Sequence, residues 1–107
     1  MIEIKIKPLS VNRVWQGRRF KTQEYKDYEQ SIGYVLPKLK IPEGKLLLEY
    51  VFGLSSKNCD IDNPIKPFTD ILQKHYNFND KQIYKMVSEK VDVKKGEEFV
   101  RFNITHI

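Results

Sequence analysis

The first third of the chain changes its pattern of apolar and polar residues twice. Isoleucines alternate with charged residues over positions 2–7, and this period of two predicts a strand with one buried face. A polar, basic stretch covers positions 9–21. From Thr22 onward apolar residues recur at helical spacing, with Thr22 a suitable N-cap. Because the residue before a proline is disfavoured in the helical conformation, we expect this helix to end near Leu36.

The remaining two thirds contain four further apolar segments. Lys45 to Leu54 predicts a mostly buried central strand, and Pro64 to about Tyr76 predicts a second helix. Gln82 to Val93 and Glu98 to Ile107 are expected to form two strands of an antiparallel hairpin. The order strand, helix, strand, helix, strand, strand predicts an α+β fold of two layers, a four-stranded mixed sheet with both helices on one face.

Length and composition narrow the class of protein. A chain of 107 residues is expected to form a single domain over residues 1–107. Its one cysteine, Cys59, excludes an intrachain disulfide and a cysteine-based zinc cluster. Without a signal-peptide core or a membrane-length apolar stretch, we expect a soluble, cytoplasmic protein with no membrane partner. A net charge of +5 favours polyanions as partners, because binding them releases counterions.

The most informative segment lies between the central strand and the second helix. If Asp60 to Asp62 is extended, residues two apart point to the same side, and two carboxylates project together. Asp62 or Asn63 is suited to cap the helix, and Pro64 suits its first turn. The free amides at a helix N-terminus favour phosphate. This segment is therefore a candidate site for phosphate chemistry.

Two further residues extend this candidate site, although a plainer interpretation exists. Lys66 lies in the first turn of the helix, and Asp80 follows the helix after a short loop. Magnesium takes one or two protein carboxylates and completes its shell with water and substrate phosphate. However, the same acidic segment is also typical of an ordinary capped turn, and Lys66 with Asp70 has the spacing of a surface salt bridge. The residue pattern alone leaves both interpretations open.

Four segments, in this order and with these gaps, resemble one known family: Ser10–Trp15, Cys59–Lys66, Asp70–Leu72 and Asn79–Ile83. On these segments the chain resembles the RusA-type crossover-junction endodeoxyribonucleases, over nearly its whole length. The resemblance implies homodimeric, magnesium-dependent endonucleases of DNA recombination and repair, which resolve Holliday junctions by nicking opposing strands at symmetric positions. Small resolvases of this type often belong to phages and prophages, so a similar origin is an expectation.

The resemblance also implies catalytic roles for particular residues. Three carboxylates fall on the family's metal-binding positions and are expected to bind Mg²⁺, with Mn²⁺ as a substitute: Asp60, Asp62 and Asp80. Lys66 matches the family's catalytic lysine, which neutralises charge on the scissile phosphate. Many members have two adjacent acids where this chain has Asn79–Asp80, and Asp80 matches the second. We expect Asp70 to orient Lys66 rather than to contact metal, and Asn63 to support the site from beside it.

The basic stretch before the first helix is the best candidate for contact with DNA. Arginine offers forked donors to phosphate, and aromatic residues such as Phe20 stack on unpaired bases. The alternative is a solvated basic loop with no partner. The residues expected to contact DNA are Asn12, Arg13, Trp15, Arg18, Arg19 and Lys21.

The leading hypothesis is a homodimeric resolvase that acts on branched DNA, specifically the four-way junction. Dimerisation follows from the two-fold symmetry of the junction, because symmetric nicking needs two related sites. One alternative is a metal nuclease that acts on other branched DNA. Another is a catalytically inactive module that binds branched DNA, although the three aspartates and Lys66 favour an enzyme.

Overall fold

The computed structural model describes residues 1–107 and has a mixed four-stranded sheet with two helices, as the α+β prediction required. The four-stranded sheet has the strand order β1-β6-β4-β5, and β2 and β3 form a separate two-stranded sheet. Neither helix is both long and apolar enough to cross a membrane. The elements in chain order are β1 (Ile2–Ile4), β2 (Trp15–Gln16), β3 (Phe20–Lys21), α1 (Gln23–Val35), β4 (Leu46–Leu54), α2 (Ile65–Tyr76), β5 (Ile83–Asp92) and β6 (Phe99–His106).

Helix α1 has the bounds that its sequence pattern predicts. The side chain of Thr22 accepts a hydrogen bond from the amide of Tyr25 over 3.1 Å and so caps the helix. At the other end, Leu36 has an extended conformation, as expected for a residue that precedes proline. Tyr25, Tyr28 and Ile32 form the buried face.

Strand β4 is the centre of the sheet and of the core. Its alternate residues Leu46, Leu48, Tyr50 and Phe52 are almost fully buried. Phe68 of α2 packs edge-on against the ring of Tyr50, with 5.6 Å between the ring centroids. These contacts fix α2 across the sheet and thereby position the residues at its N-terminus.

The predicted hairpin between the last two strands is wrong. β5 pairs with β4 in parallel and β6 pairs with β4 antiparallel, so β4 lies between them. The physical reason is burial: the apolar strand β4 needs a partner on each side, whereas β5 is mostly exposed and suits the edge of the sheet. Because β4 and β5 are parallel, α2 is the crossover connection between them.

The basic stretch before α1 contains a short hairpin that the sequence pattern does not predict. β2 and β3 pair antiparallel, with Trp15 opposite Lys21 and Gln16 opposite Phe20. Gly17 turns the chain with φ of 70°, a left-handed conformation that glycine adopts without strain. We call residues Val11–Lys21 the basic arm.

Candidate active site

The segment Asp60–Pro64, which we call the acidic loop, consists of consecutive turns. The amide of Asn63 donates to the carbonyl of Asp60 over 3.1 Å, and that of Ile65 donates to the carbonyl of Asp62 over 3.2 Å. The condition under which both carboxylates would project to one side, an extended Asp60 to Asp62, is therefore not met, because these local hydrogen bonds turn the backbone. The expected cap is also wrong: Pro64 occupies the N-cap position of α2, and no side chain caps the helix.

The carboxylates of the acidic loop are consequently left free. Asp60 and Asp62 are exposed, and neither side chain takes part in a hydrogen bond or an ion pair of the structure. A cap by Asp62 would have engaged its oxygens with backbone amides. The turn instead leaves the oxygens of both residues available to a ligand.

Two tethers from distant parts of the chain hold the acidic loop in place. The amide of Val11, at the start of the basic arm, donates to the carbonyl of Asn63 over 2.9 Å. On the other side, Nζ of Lys90 in β5 donates to the carbonyl of Cys59 over 2.9 Å. The loop is thus fastened both to the basic arm and to the sheet.

Lys66 projects from the first turn of α2 and is paired with Asp70. Its Nζ lies 2.9 Å from Oδ1 and 3.2 Å from Oδ2 of Asp70. This hydrogen bonding raises the pKa of Lys66 above its ordinary value, and the negative charges of Asp70 and Asp80 act in the same direction. Lys66 and Asp70 therefore form the ion pair that their spacing in the sequence suggests, and the pair favours the charged form of the lysine.

Asp80 is positioned by a capped turn between α2 and β5. The side chain of Asn79 accepts from the amide of Lys81 over 2.9 Å, and the amide of Asn79 donates to Oε1 of Gln82 over 3.0 Å. Asp80 is exposed, and its charge is felt at Lys66. Asn79 therefore has a structural task, because its side chain caps the turn that carries Asp80.

The basic arm presents aromatic and basic side chains to solvent. Trp15 is 50% exposed and Phe20 is 72% exposed, high values for side chains of this size. Arg18 and Arg19 are exposed at the tip of the hairpin. Lys21 differs, because its Nζ lies 4.3 Å from the ring of Trp15 and 4.3 Å from the ring of Tyr25, so it joins the arm to α1 through cation–π contacts.

Comparison with known families decides the class of protein. The family model described as Endodeoxyribonuclease RusA matches residues 5–104. The chain belongs to the RusA family. The match includes the basic arm, the acidic loop, Lys66 and Asp80. A search of curated proteins found no match.

RusA-family nucleases generally depend on a divalent metal. Asp60, Asp62 and Asp80 offer exposed carboxylate oxygens without protein partners, and hard oxygen ligands are what magnesium prefers. The structure does not bring these three carboxylates, or any other three His, Cys, Asp or Glu side chains, into one group that could hold a metal ion. Magnesium sites usually contain only one or two carboxylates, with water and phosphate as the other ligands. The oxygen donors therefore fit the ion in kind, while the structure leaves the three carboxylates apart.

Sequence reasoning missed two residues of this RusA-family site. Lys90 lies on an exposed strand with several other charged residues, and nothing in the pattern marks it as the tether of Cys59. Tyr25 lies on the buried face of α1, yet its ring also receives Lys21. Burial, together with the charges of Glu29 and Asp70, raises the pKa of Tyr25 to about 12.

Proposed function

We propose that this RusA-family protein is a magnesium-dependent, structure-selective endodeoxyribonuclease. It resolves Holliday junctions by symmetric paired nicking and works as a homodimer. The observation that carries the proposal is the position of Lys66. Its ammonium is hydrogen-bonded to Asp70, and the negative charge of Asp80 helps to raise its pKa. In the sequence Lys66 comes shortly after the free carboxylates of the acidic loop.

The chemistry follows from the side chains at this position. Asp60, Asp62 and Asp80 would supply carboxylate ligands to the metal ion, and Lys66 would offset the charge that builds on the scissile phosphate. Bound magnesium would activate a water molecule and stabilise the leaving oxygen. Asp70 holds Lys66 in place and keeps it protonated. The N-terminus of α2 adds partial positive charge at the same place.

Recognition of branched DNA is assigned to the basic arm. Arg18 and Arg19 at its tip bind phosphates, while Trp15 and Phe20 stack on bases exposed near the branch point. The hydrogen bond between the Val11 amide and the Asn63 carbonyl supports this assignment, because it joins the arm directly to the acidic loop. DNA held by the arm is thereby brought to the carboxylates.

The homodimer is supported by the symmetry of the substrate. Each chain carries one set of the proposed catalytic residues, and a four-way junction offers two equivalent strands to cut. Two copies related by a two-fold axis match that arrangement.

The decisive experiment is cleavage of a synthetic four-way junction and of a linear duplex of the same sequence, in magnesium and in EDTA. We expect paired nicks in the junction alone, only with metal, and none with Asp62→Asn. Asp92→Asn is the matched control, because Asp92 is also exposed but lies at the end of β5. It should cut as wild type does.

Two other results would replace the proposal with one of its alternatives. Tight junction binding without cutting, in wild type as in Asp62→Asn, would indicate a binding module that lacks turnover. Cutting of flaps or forks in preference to the four-way junction would indicate a nuclease for other branched DNA.

A further inference from the structure

Strand β5 is a long, uncovered edge of the four-stranded sheet. It pairs with β4 on one side only, so the backbone amides and carbonyls along its other side have no partner in the sheet. Such an edge is a template for pairing with another chain, and proteins often block it with proline or keep the strand very short. β5 has no proline and is ten residues long. This edge is therefore open to a further strand.

The edge carries one exposed apolar residue between two opposite charges. The ladder with β4 has an extra residue at Tyr84 and is regular from there to Asp92. In this regular part Lys85, Val87 and Glu89 point away from the helices, because the residues opposite them on β4 are not those of its buried face. All three are exposed, Val87 to 46%. Neither charged side chain takes part in an ion pair of the structure.

Two copies of one strand can pair antiparallel about a two-fold axis in only a few registers. The axis makes every contact reciprocal, so a residue and its partner exchange places between the copies. In an antiparallel ladder, residues that lie opposite each other direct their backbone groups in the same way, and this direction alternates along a strand. Opposite residues must therefore be an even number of positions apart. It follows that one residue on the axis lies opposite its own copy.

The charges on β5 select Val87 as the residue on the axis. With Val87 there, Lys85 of each copy lies opposite Glu89 of the other, and the two valines meet between these pairs. An axis at Met86 or Ser88 would place a charged residue opposite Val87 and lose both charge pairs. An axis at Lys85 or Glu89 would put like charges opposite each other, which is destabilising. The edge is thus complementary to itself in the register centred on Val87.

We infer that β5 is the interface of the homodimer, and that two copies join antiparallel along Lys85–Glu89 with the two-fold axis at Val87. This inference rests on the proposed function, which includes the homodimer, and it names the surface that holds the two copies together. Backbone hydrogen bonds join the strands, and the two pairs of opposite charges fix the register. The other edge strand, β1, is only three residues long and offers much less backbone for pairing.

The first test is analytical ultracentrifugation of the full-length protein without DNA, over a series of concentrations. Lys85→Glu and Glu89→Lys should each raise the dissociation constant of the dimer about tenfold or more, because each places like charges opposite one another twice. The protein with both changes has opposite charges again and should dimerise as wild type does. Lys26→Glu is the matched control, since it reverses a charge at an exposed position of α1. It should leave the dissociation constant unchanged.

The second test reads the register by cross-linking and does not depend on charge. It uses Cys59→Ser protein, in which no native cysteine remains. Val87→Cys in this background should oxidise to a covalent dimer, because residues opposite each other in an antiparallel ladder lie within disulfide distance. Val91→Cys is the control: Val91 is also exposed, but an axis there would leave only the end of β5 to pair. It should remain a single chain on a denaturing gel.

The outcomes separate this interface from the function on which it rests. A dimer that neither charge reversal weakens, or cross-linking at position 91 instead of 87, would reject the interface as described and leave the nuclease untouched. A wild-type protein that stays monomeric at every concentration would reject the interface together with the homodimer. A dimer that responds to the variants as expected but never cuts branched DNA in magnesium would reject the proposed endonuclease and leave the interface in place.

Discussion

Both carboxylate oxygens of Asp70 accept hydrogen bonds from Nζ of Lys66, over 2.9 and 3.2 Å, one turn apart on α2. Asp70→Asn should lower the pKa of Lys66 toward its ordinary 10.5, because the hydrogen bond with Asp70 is the largest cause of the increase. Carbon-13 titration of the lysine Cε resonances measures this pKa, with Lys66→Arg to assign the signal. An unchanged pKa would show that Asp70 does not hold the ammonium in solution.

The same pair makes a small contribution to stability, with a definite dependence on pH. Because the pKa of Lys66 is raised in the folded protein, the contribution is complete below pH 10.5 and disappears as pH rises through the folded value. Both side chains are substantially exposed, so Asp70→Asn should change the free energy of unfolding by only a few tenths of a kcal/mol, roughly. A loss of cutting in this variant would then reflect positioning rather than unfolding.

Removal of the ammonium itself should be much more damaging to catalysis. We expect Lys66→Met to lower the rate of junction cutting about 10²–10³-fold, the usual effect of losing one group that stabilises transition-state charge. Lys74→Met is the matched control, because Lys74 lies on the same helix, is similarly exposed and also has an acidic partner, Glu29. Equal losses in the two variants, measured at saturating protein, would remove Lys66 from the chemistry.

The tip of the basic arm should account for part of the salt dependence of DNA binding. If Arg18 and Arg19 each contact a phosphate, replacing both by alanine should flatten the log–log dependence of affinity on salt by about two units. Lys94 and Lys95, in the exposed connection between β5 and β6, are the comparison pair and should leave the slope unchanged. The measurement is fluorescence anisotropy with a labelled junction over a salt series.

Asn79→Asp should strengthen metal binding without disturbing the fold. Asn79 caps the following turn through its side-chain oxygen, which accepts from the amide of Lys81. An aspartate retains this acceptor and adds a negative charge next to Asp80. We expect the magnesium concentration for half-maximal cutting to fall, and Asn79→Ser, which caps without charge, to leave it unchanged. A higher requirement in Asn79→Asp would mean that Asp80 is not a metal ligand.

A buried hydrogen bond between the hydroxyls of Tyr50 and Thr69 links β4 to α2. Oγ1 of Thr69 lies 2.7 Å from Oη of Tyr50 and donates to the carbonyl of Ile65 over 2.7 Å. Thr69→Val leaves the hydroxyl of Tyr50 buried without a partner, which should cost about 1–3 kcal/mol in urea unfolding. Tyr50→Phe combined with Thr69→Val should be less destabilised than the sum of the single variants. Strict additivity would mean that the two hydroxyls do not interact.

The ends of α1 were predictable from the sequence, because each is determined by residues next to it in the chain. Thr22 caps α1 and the residue before Pro37 ends it, as the pattern indicates. The pairing of strands was not predictable in this way, since the sequence of β5 does not say which strand lies beside it. The exposed character of β5 and the apolar character of β4 decide the order only when the whole sheet is compared.

In the candidate site too, features with local causes were predictable from the sequence and features that depend on distant residues were not. The ion pair of Lys66 and Asp70 follows from helical spacing and is confirmed. The conformation of the acidic loop could not be decided from the sequence, because two acids separated by one residue are compatible with a strand and with a turn. Backbone hydrogen bonds decide for the turn. The tether from Lys90 joins residues 31 positions apart and has no local signature.

The hydrogen bond from the Val11 amide to the Asn63 carbonyl gives a measurable signal of contact between the basic arm and the acidic loop. Val11 is an exposed residue, so this bond, rather than burial of its side chain, protects its amide proton from exchange with water. The exchange rate of that single proton therefore measures how often the basic arm separates from the acidic loop. Slower exchange with a bound junction than with a linear duplex would record, at one atom, that branched DNA closes the arm onto the carboxylates.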